Sequence, residues 1–351
     1  MLAYRHAFHA GNHADVIKHA VMLYCLDYLQ KKPSPVLVID THAGSGQYRV
    51  GEPLMRGKGE FNTGVLPLFE KKGDGVPPLI EAYLQEVRRL NTGTRLERIP
   101  GSPLLLAERL RAKDLLHAFE LHPSDFSHLG QALGGYGRRV KAHHANGFEA
   151  PKALLPNVSK RAMVVIDPSY ELRTDYAKAW ACIRETLQRM AHTVVVVWMP
   201  MVQRFELQRF LGQLHGLEAE RLQIDLRVRP PQDDGLGLMG SHLMVINPPY
   251  GLKEACDQAL PWLVRALGQD PLAQGRTLLN PRPALATTPR RMARPYEGQR
   301  MQPHGNPRVR PGESARTRPG DSAGIRPGDI PRTRPGDSAG MRSGGIKKGG
   351  R

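Results

Sequence analysis

The 351-residue sequence is short of cysteine, of aromatic residues and of long apolar runs. Its three cysteines, Cys25, Cys182 and Cys256, lie far apart in the chain and match no zinc or dithiol spacing. Neither a disulfide framework nor a redox motif is therefore expected. No stretch approaches the roughly 18 consecutive apolar residues that cross a bilayer. The opening MLAYRHAFHAGNHAD lacks the apolar region of a secretory signal. The expectation is a cytoplasmic protein with no membrane partner, and a monomer by default. Aromatics make up only 6% of the residues, but a hydrophobic content of 40% suffices for a sizeable core.

Acidic residues are also scarce, and the net charge is +17. The imbalance is local. Residues 271–351 hold 17 Lys and Arg against 5 Asp and Glu, which accounts for +12 of the total. That segment repeats with a period of eight, in units that begin RPG at Arg310, Arg318, Arg326 and Arg334. Such units bury too little apolar surface to offset the entropy of ordering them. Residues 271–351 are expected to be a disordered basic tail that adds non-specific attraction to phosphate backbones. Residues 1–270 are the expected folded domain.

Within that domain, strand-like runs recur at 35–40, 114–120, 138–144, 162–167, 193–200, 222–228 and 241–247, mostly separated by amphipathic segments such as 175–191 and 202–215. Strands alternating with helices predict a doubly wound, Rossmann-like α/β sheet of seven strands. The last two runs are joined by the Gly- and Pro-rich RPPQDDGLGLMG (229–240) with no helix between them, so they should pair antiparallel. The gap between the first strand and the second is far longer than a single crossover needs. It predicts a mainly helical insertion over about 50–110.

VLVIDTHAGSGQY places Gly44 and Gly46 in a turn after the first strand. A third glycine of the dinucleotide fingerprint would fall at Arg49, so pyrophosphate is not the expected ligand. Glu120 ends the second strand, where a carboxylate can accept from a ribose diol. An adenosine-containing cofactor without pyrophosphate fits, and S-adenosyl-L-methionine is the expected one.

Two stretches could then hold a base: VVIDPSYE (164–171) and VINPPYG (245–251). In each, an acceptor side chain, a rigid proline and an aromatic follow a strand. Asp167 and the Pro168 carbonyl can accept both protons of an exocyclic amine, and Tyr170 offers a face to an extruded base. Asn247 is chemically as suitable. Topology separates them: if the strand order is that of S-adenosylmethionine methyltransferases, Asp167 ends the strand beside the glycine turn, while an antiparallel last strand puts Asn247 at the opposite edge.

Taken together, YRHAFHAGNHADVIKH, DTHAGSGQY, PGSPLL, ELHPSD, ANGF, IDPSYE and INPP resemble the bacterial 23S ribosomal RNA adenine-N6 methyltransferases of the large-subunit J type, over about residues 1–265. The resemblance implies a class I methyltransferase core with an inserted helical subdomain. It implies N6-methylation of an adenine in 23S ribosomal RNA before or early in subunit assembly. It maps cofactor contacts onto His19, His42, Gly44, Ser102, Glu120, Asn146, Gly147 and Asp167. Asp167 becomes the proton acceptor, and Tyr4, with Lys18, becomes a contact to the substrate RNA. Two positions depart from the family pattern: Asn146 stands for its usual Asp and Ser169 for a second proline. Asn146 should cost some cofactor affinity. Ser169 puts the direction of Tyr170, and with it base stacking, in doubt.

His9 and His13 are four apart, but no third ligand of matching spacing follows, so no metal is expected. Two other functions remain open on the sequence: a DNA adenine-N6 methyltransferase with the same chemistry, and a non-catalytic RNA-binding protein on the same fold.

Overall fold

The computed structural model describes residues 6–53, 55–57, 59–71, 75–230 and 238–281. The chain divides into two units, Met1–Thr287 and Thr288–Arg351, and every described residue belongs to the first. That unit begins with α1 (His6–His9) and α2 (His13–Gln30), followed by β1 (Leu37–Asp40) and β2 (Gln47–Arg49). Next come α3 (Val65–Phe69), α4 (Pro78–Leu90), β3 (Arg98–Pro100) and α5 (Ser102–Arg109). The chain continues through β4 (Leu115–Glu120), α6 (Pro123–Leu133), β5 (Val140–His144), α7 (Ala150–Leu154) and β6 (Ala162–Ile166). It closes with α8 (Thr174–Arg189), β7 (Val194–Met201), α9 (Phe205–His215), β8 (Arg221–Arg227), β9 (Gly240–Ile246), α10 (Leu252–Leu267) and β10 (Gln274–Asn280).

The main sheet runs β10-β8-β9-β7-β6-β1-β4-β5. Its β5, β4, β1, β6 and β7 are parallel, and β9 enters antiparallel between β7 and β8. This is the doubly wound α/β order expected of a class I methyltransferase. The central strands read as unbroken apolar runs because helices cover both of their faces. All four residues of β1 and all five of β6 are buried. One core lies under α2, α4, α5 and α10, and the other under α8 and α9.

Helix α2 starts where Asn12 accepts hydrogen bonds from the backbone N–H of Ala14 and Asp15. From His13 to Leu23 every residue is buried, polar ones included. Burial of each large aliphatic side chain along it contributes about 1.5–3 kcal/mol. The charged residues of this buried stretch, Asp15 and Lys18, must therefore pair inside the fold.

One expectation needs correction, and a second gains a detail. The first concerns the edge of the sheet. Residues 274–280, assigned above to the tail, form β10, which pairs antiparallel with β8 over seven residues. An eighth strand thus caps the expected seven; residues 282–351 lie outside the described part of the chain. The second concerns the insertion. Its elements run from β2 to α5 and are mainly helical, but they include the two-stranded ribbon β2-β3. That ribbon has a role: it carries the Gly101 N–H to the Gly46 carbonyl (2.7 Å), so the end of the insertion is tied to the glycine turn.

Candidate active site

A cavity of about 430 Å³ lies at the carboxyl ends of the parallel strands. Parallel pairing of β1 with β6 puts Asp167 beside the turn that carries Gly44, and both line the cavity. Parallel pairing of β1 with β4 adds Phe119 and Glu120. The loop after β5 adds Asn146, Gly147 and Phe148.

The glycine turn needs its glycine. Gly44 has φ +60°, and its N–H donates to Glu120 Oε2 (2.9 Å). Glu120 Oε1 accepts from the His122 N–H (2.6 Å). Each carboxylate oxygen keeps a further lone pair. Burial pushes the Glu120 carboxyl upward, and these N–H donors pull it back only in part. On the other side of the turn, Gly147 packs so closely on Thr41 that a Cβ would stand 1.8 Å from the Thr41 carbonyl oxygen.

Ser102 Oγ donates to Asp40 Oδ2 (2.7 Å), while Asp40 Oδ1 is buried without a partner among the described residues. Burial raises the Asp40 carboxyl to about 7, against the lowering hydrogen bond from Ser102. Burial also drives His19 and His42 down to about 3, so both rings are neutral near pH 7. His19 Nδ1 has no hydrogen-bond partner among the described residues although it is buried.

The most charged part of the site is a relay from α2. Lys18 Nζ donates to Asp15 Oδ1 (2.7 Å) and to Asp167 Oδ2 (2.5 Å). Burial would depress the lysine, but attraction to Asp15 and Asp167 outweighs it and the ammonium titrates above its ordinary value. Asp15 also accepts the Gly11 N–H, and its carboxyl lies well below the usual range despite burial because Lys18 and His6 face it. Burial raises the Asp167 carboxyl, and Lys18 offsets only part of that shift. Asp167 Oδ1 accepts no hydrogen bond among the described residues, so one oxygen of a fixed carboxylate is left for a ligand.

The structure therefore gathers His19, His42, Gly44, Ser102, Glu120, Asn146, Gly147, Asp167 and Pro168 around one cavity. It does not bring in Tyr170. At φ +53° the backbone turns back, and the Tyr170 ring packs on Tyr176 and Trp198 with 1% exposure. Its expected role as a stacking face for the base is corrected accordingly. Lys18, expected as a contact to the substrate RNA, is 3% exposed, lines the cavity and holds Asp167. Asn146 is occupied in part, since its Oδ1 accepts the Phe148 N–H (3.2 Å) at the start of a short 3₁₀ turn. Tyr4 lies outside the described residues. Asp15 and Trp198 were missed by sequence reasoning. The Asp15–Lys18 spacing within an apolar run was the available signal for the first.

The rival stretch ends elsewhere. Asn247 Nδ2 donates to the carbonyls of Ala191 and Thr193, both 2.8 Å away. Those residues precede β7, so Asn247 sits at the amino ends of the parallel strands, away from the cavity.

Known proteins resemble this chain over most of its length. The family described as ribosomal RNA large subunit methyltransferase D, RlmJ, matches residues 33–279. Ribosomal RNA large subunit methyltransferase J of Escherichia coli is 40% identical over 264 residues, which is 75% of this chain and 93% of that protein. The Haemophilus influenzae protein of the same name is 38% identical over 269 residues, covering 76% and 94%. The solved structure of protein LPL1258 from Legionella pneumophila superposes with a TM-score of 0.71 at 28% identity, covering 79% of this chain and 99% of that one.

Proposed function

The chain belongs to the ribosomal RNA large subunit methyltransferase J family, and from that premise we propose that it transfers a methyl group to N6 of an adenine in 23S ribosomal RNA. The cofactor is S-adenosyl-L-methionine, which supplies an electrophilic methyl group when bound. The lining fits it. Glu120 keeps lone pairs for a ribose diol, His19 Nδ1 is an orphaned buried nitrogen, and Phe119, Phe148 and His42 offer ring surface around the glycine turn.

The observation that carries the reading is the shared cavity of Asp167 and Gly44. Asp167 Oδ1 and the Pro168 carbonyl accept the two protons of the adenine amine. This orients the nitrogen lone pair toward the glycine turn, where the cofactor methyl would lie. Lys18 fixes the Asp167 side chain through Oδ2, so orienting the amine costs little further ordering. Once N6 has gained the methyl group, Asp167 Oδ1 takes the surplus proton, and the upward shift imposed by burial makes it a better acceptor. An adenine must leave its stack to reach these atoms. Protein-free RNA, or RNA early in assembly, offers that freedom.

The test is nucleoside mapping. Purified protein, labelled cofactor and protein-free 23S ribosomal RNA should yield label in N6-methyladenosine at one position. Label that appeared only with duplex DNA would assign the protein to DNA instead, and RNA binding without transfer would make it a non-catalytic binder.

A further inference from the structure

Two strips of chain meet next to Leu172, a lining residue of the cavity. One is the loop after Asp167, through Leu172 and Arg173; the other is the start of α9. Arg204 Nη1 donates to the Tyr170 carbonyl (2.9 Å), and Arg173 Nε lies 3.4 Å from Glu206 Oε1. These contacts dock the amino end of α9 against the loop that leaves Asp167. Leu172 lines the cavity and is 48% exposed. Phe205, on the docked helix end, is 77% exposed. Helix α9 buries Leu207, Phe210, Leu211 and Leu214, so Phe205 contributes little to its packing. The Arg173 side chain is itself 83% exposed and leaves its guanidinium within reach of solvent.

We propose that Phe205 is a stacking platform for the nucleotide next to the target adenine, with Arg173 placed for that nucleotide's phosphate. The proposal rests on the RNA reading above and adds a binding site outside the cavity. When an adenine is drawn out of its stack, the neighbouring base loses a stacking partner on one face. An exposed ring on the helix end docked to the loop that leaves Asp167 restores that contact, and a flanking guanidinium matches the adjoining phosphate. Arg173 meets Glu206 through Nε and its side chain stays largely exposed, so the phosphate would share the guanidinium with Glu206. Stacking tolerates any base, so the site adds affinity without reading sequence.

Three forms of the full chain test it: wild type, Phe205→Ala and Phe205→Trp. Binding of protein-free 23S ribosomal RNA is titrated by fluorescence, and transfer is timed with saturating cofactor. Phe205→Ala should weaken RNA binding and raise the KM for RNA about tenfold, the scale of one lost base stack. Its kcat, cofactor affinity and melting temperature should stay at wild-type values, and Phe205→Trp should restore the binding. Wild-type RNA affinity in Phe205→Ala overturns the proposal. A parallel loss of cofactor affinity, or no recovery with Trp, overturns it in favour of a structural role. If the wild type binds the RNA but methylates none of it, the methylation reading fails, while the binding titration still decides on Phe205.

Discussion

Lys18 Nζ lies 2.5 Å from Asp167 Oδ2, so a residue from the helix that precedes the sheet fixes the carboxylate at the end of β6. Its other partner, Asp15, is 2% exposed. Replacing Lys18 by Met would leave two buried carboxylates facing an uncharged side chain. The loss should be about 3–5 kcal/mol of unfolding free energy at pH 7, the scale of an uncompensated buried charge. Methyl transfer should fall at least a hundredfold. In the variant the carboxyls titrate higher folded than unfolded, so its deficit should shrink as the pH falls. Urea unfolding at pH 5 and pH 7 measures both effects. A deficit under 1 kcal/mol at pH 7 would mean that the relay is not held as described.

Asp40 gives a second pH signature. Its folded value is about 7, against an ordinary carboxylate value in the unfolded chain. Between the two, the folded state holds a proton that the unfolded state has lost. Asp40 therefore contributes stability that is full below the unfolded value and is lost as the pH rises to about 7. Asp40→Asn removes that dependence. The unfolding free energy of the wild type minus that of the variant should fall by roughly 1.4 kcal/mol per pH unit between pH 5 and 7, then level off. A difference that is flat across this range would place the folded value of Asp40 near the ordinary one.

Gly147 and Gly130 should respond to alanine in opposite directions. A Cβ at Gly147 would stand 1.8 Å from a backbone oxygen, which cannot rotate away. Gly147→Ala should cost about 1–3 kcal/mol or more and weaken cofactor binding, since the loop it anchors lines the cavity. Gly130 lies in α6, where a Cβ would meet no atom within 4 Å, so Gly130→Ala should gain about 0.5–1 kcal/mol. Thermal unfolding of the two variants, with and without cofactor, checks the pair.

Asn247→Ala should separate stability from catalysis. It deletes two hydrogen bonds to backbone carbonyls and should cost about 1–3 kcal/mol. The transfer rate per folded molecule should not change. A variant that stayed stable but lost transfer would bring the Asn-Pro-Pro-Tyr stretch back into the chemistry.

Much of this arrangement was legible in the residues, for identifiable reasons. Parallel strands buried on both faces stand out as unbroken apolar runs, and their ends carry the site, so Asp40, Glu120 and Asp167 could be located as strand-end acids. Strand β10 was not legible. Its QGRTLLN pairs on one edge only and is half exposed, so its composition differs little from that of a loop. The direction of Tyr170 was not legible either, because it depends on a positive φ that no residue type at that position dictates. Lys18 was legible as a site residue but not in its role. A lysine reads as a surface cation until the packing of α2 shows it buried between two acids.

The proposed mechanism turns on an adenine amine held at Asp167. Its most direct test is the single-turnover rate of methyl transfer to 23S ribosomal RNA by Asp167→Asn, measured beside the cofactor dissociation constant of the same protein. The rate should fall a thousandfold or more, with cofactor binding changed less than about tenfold. A rate within a few fold of the wild type would mean that the carboxylate does not hold the amine.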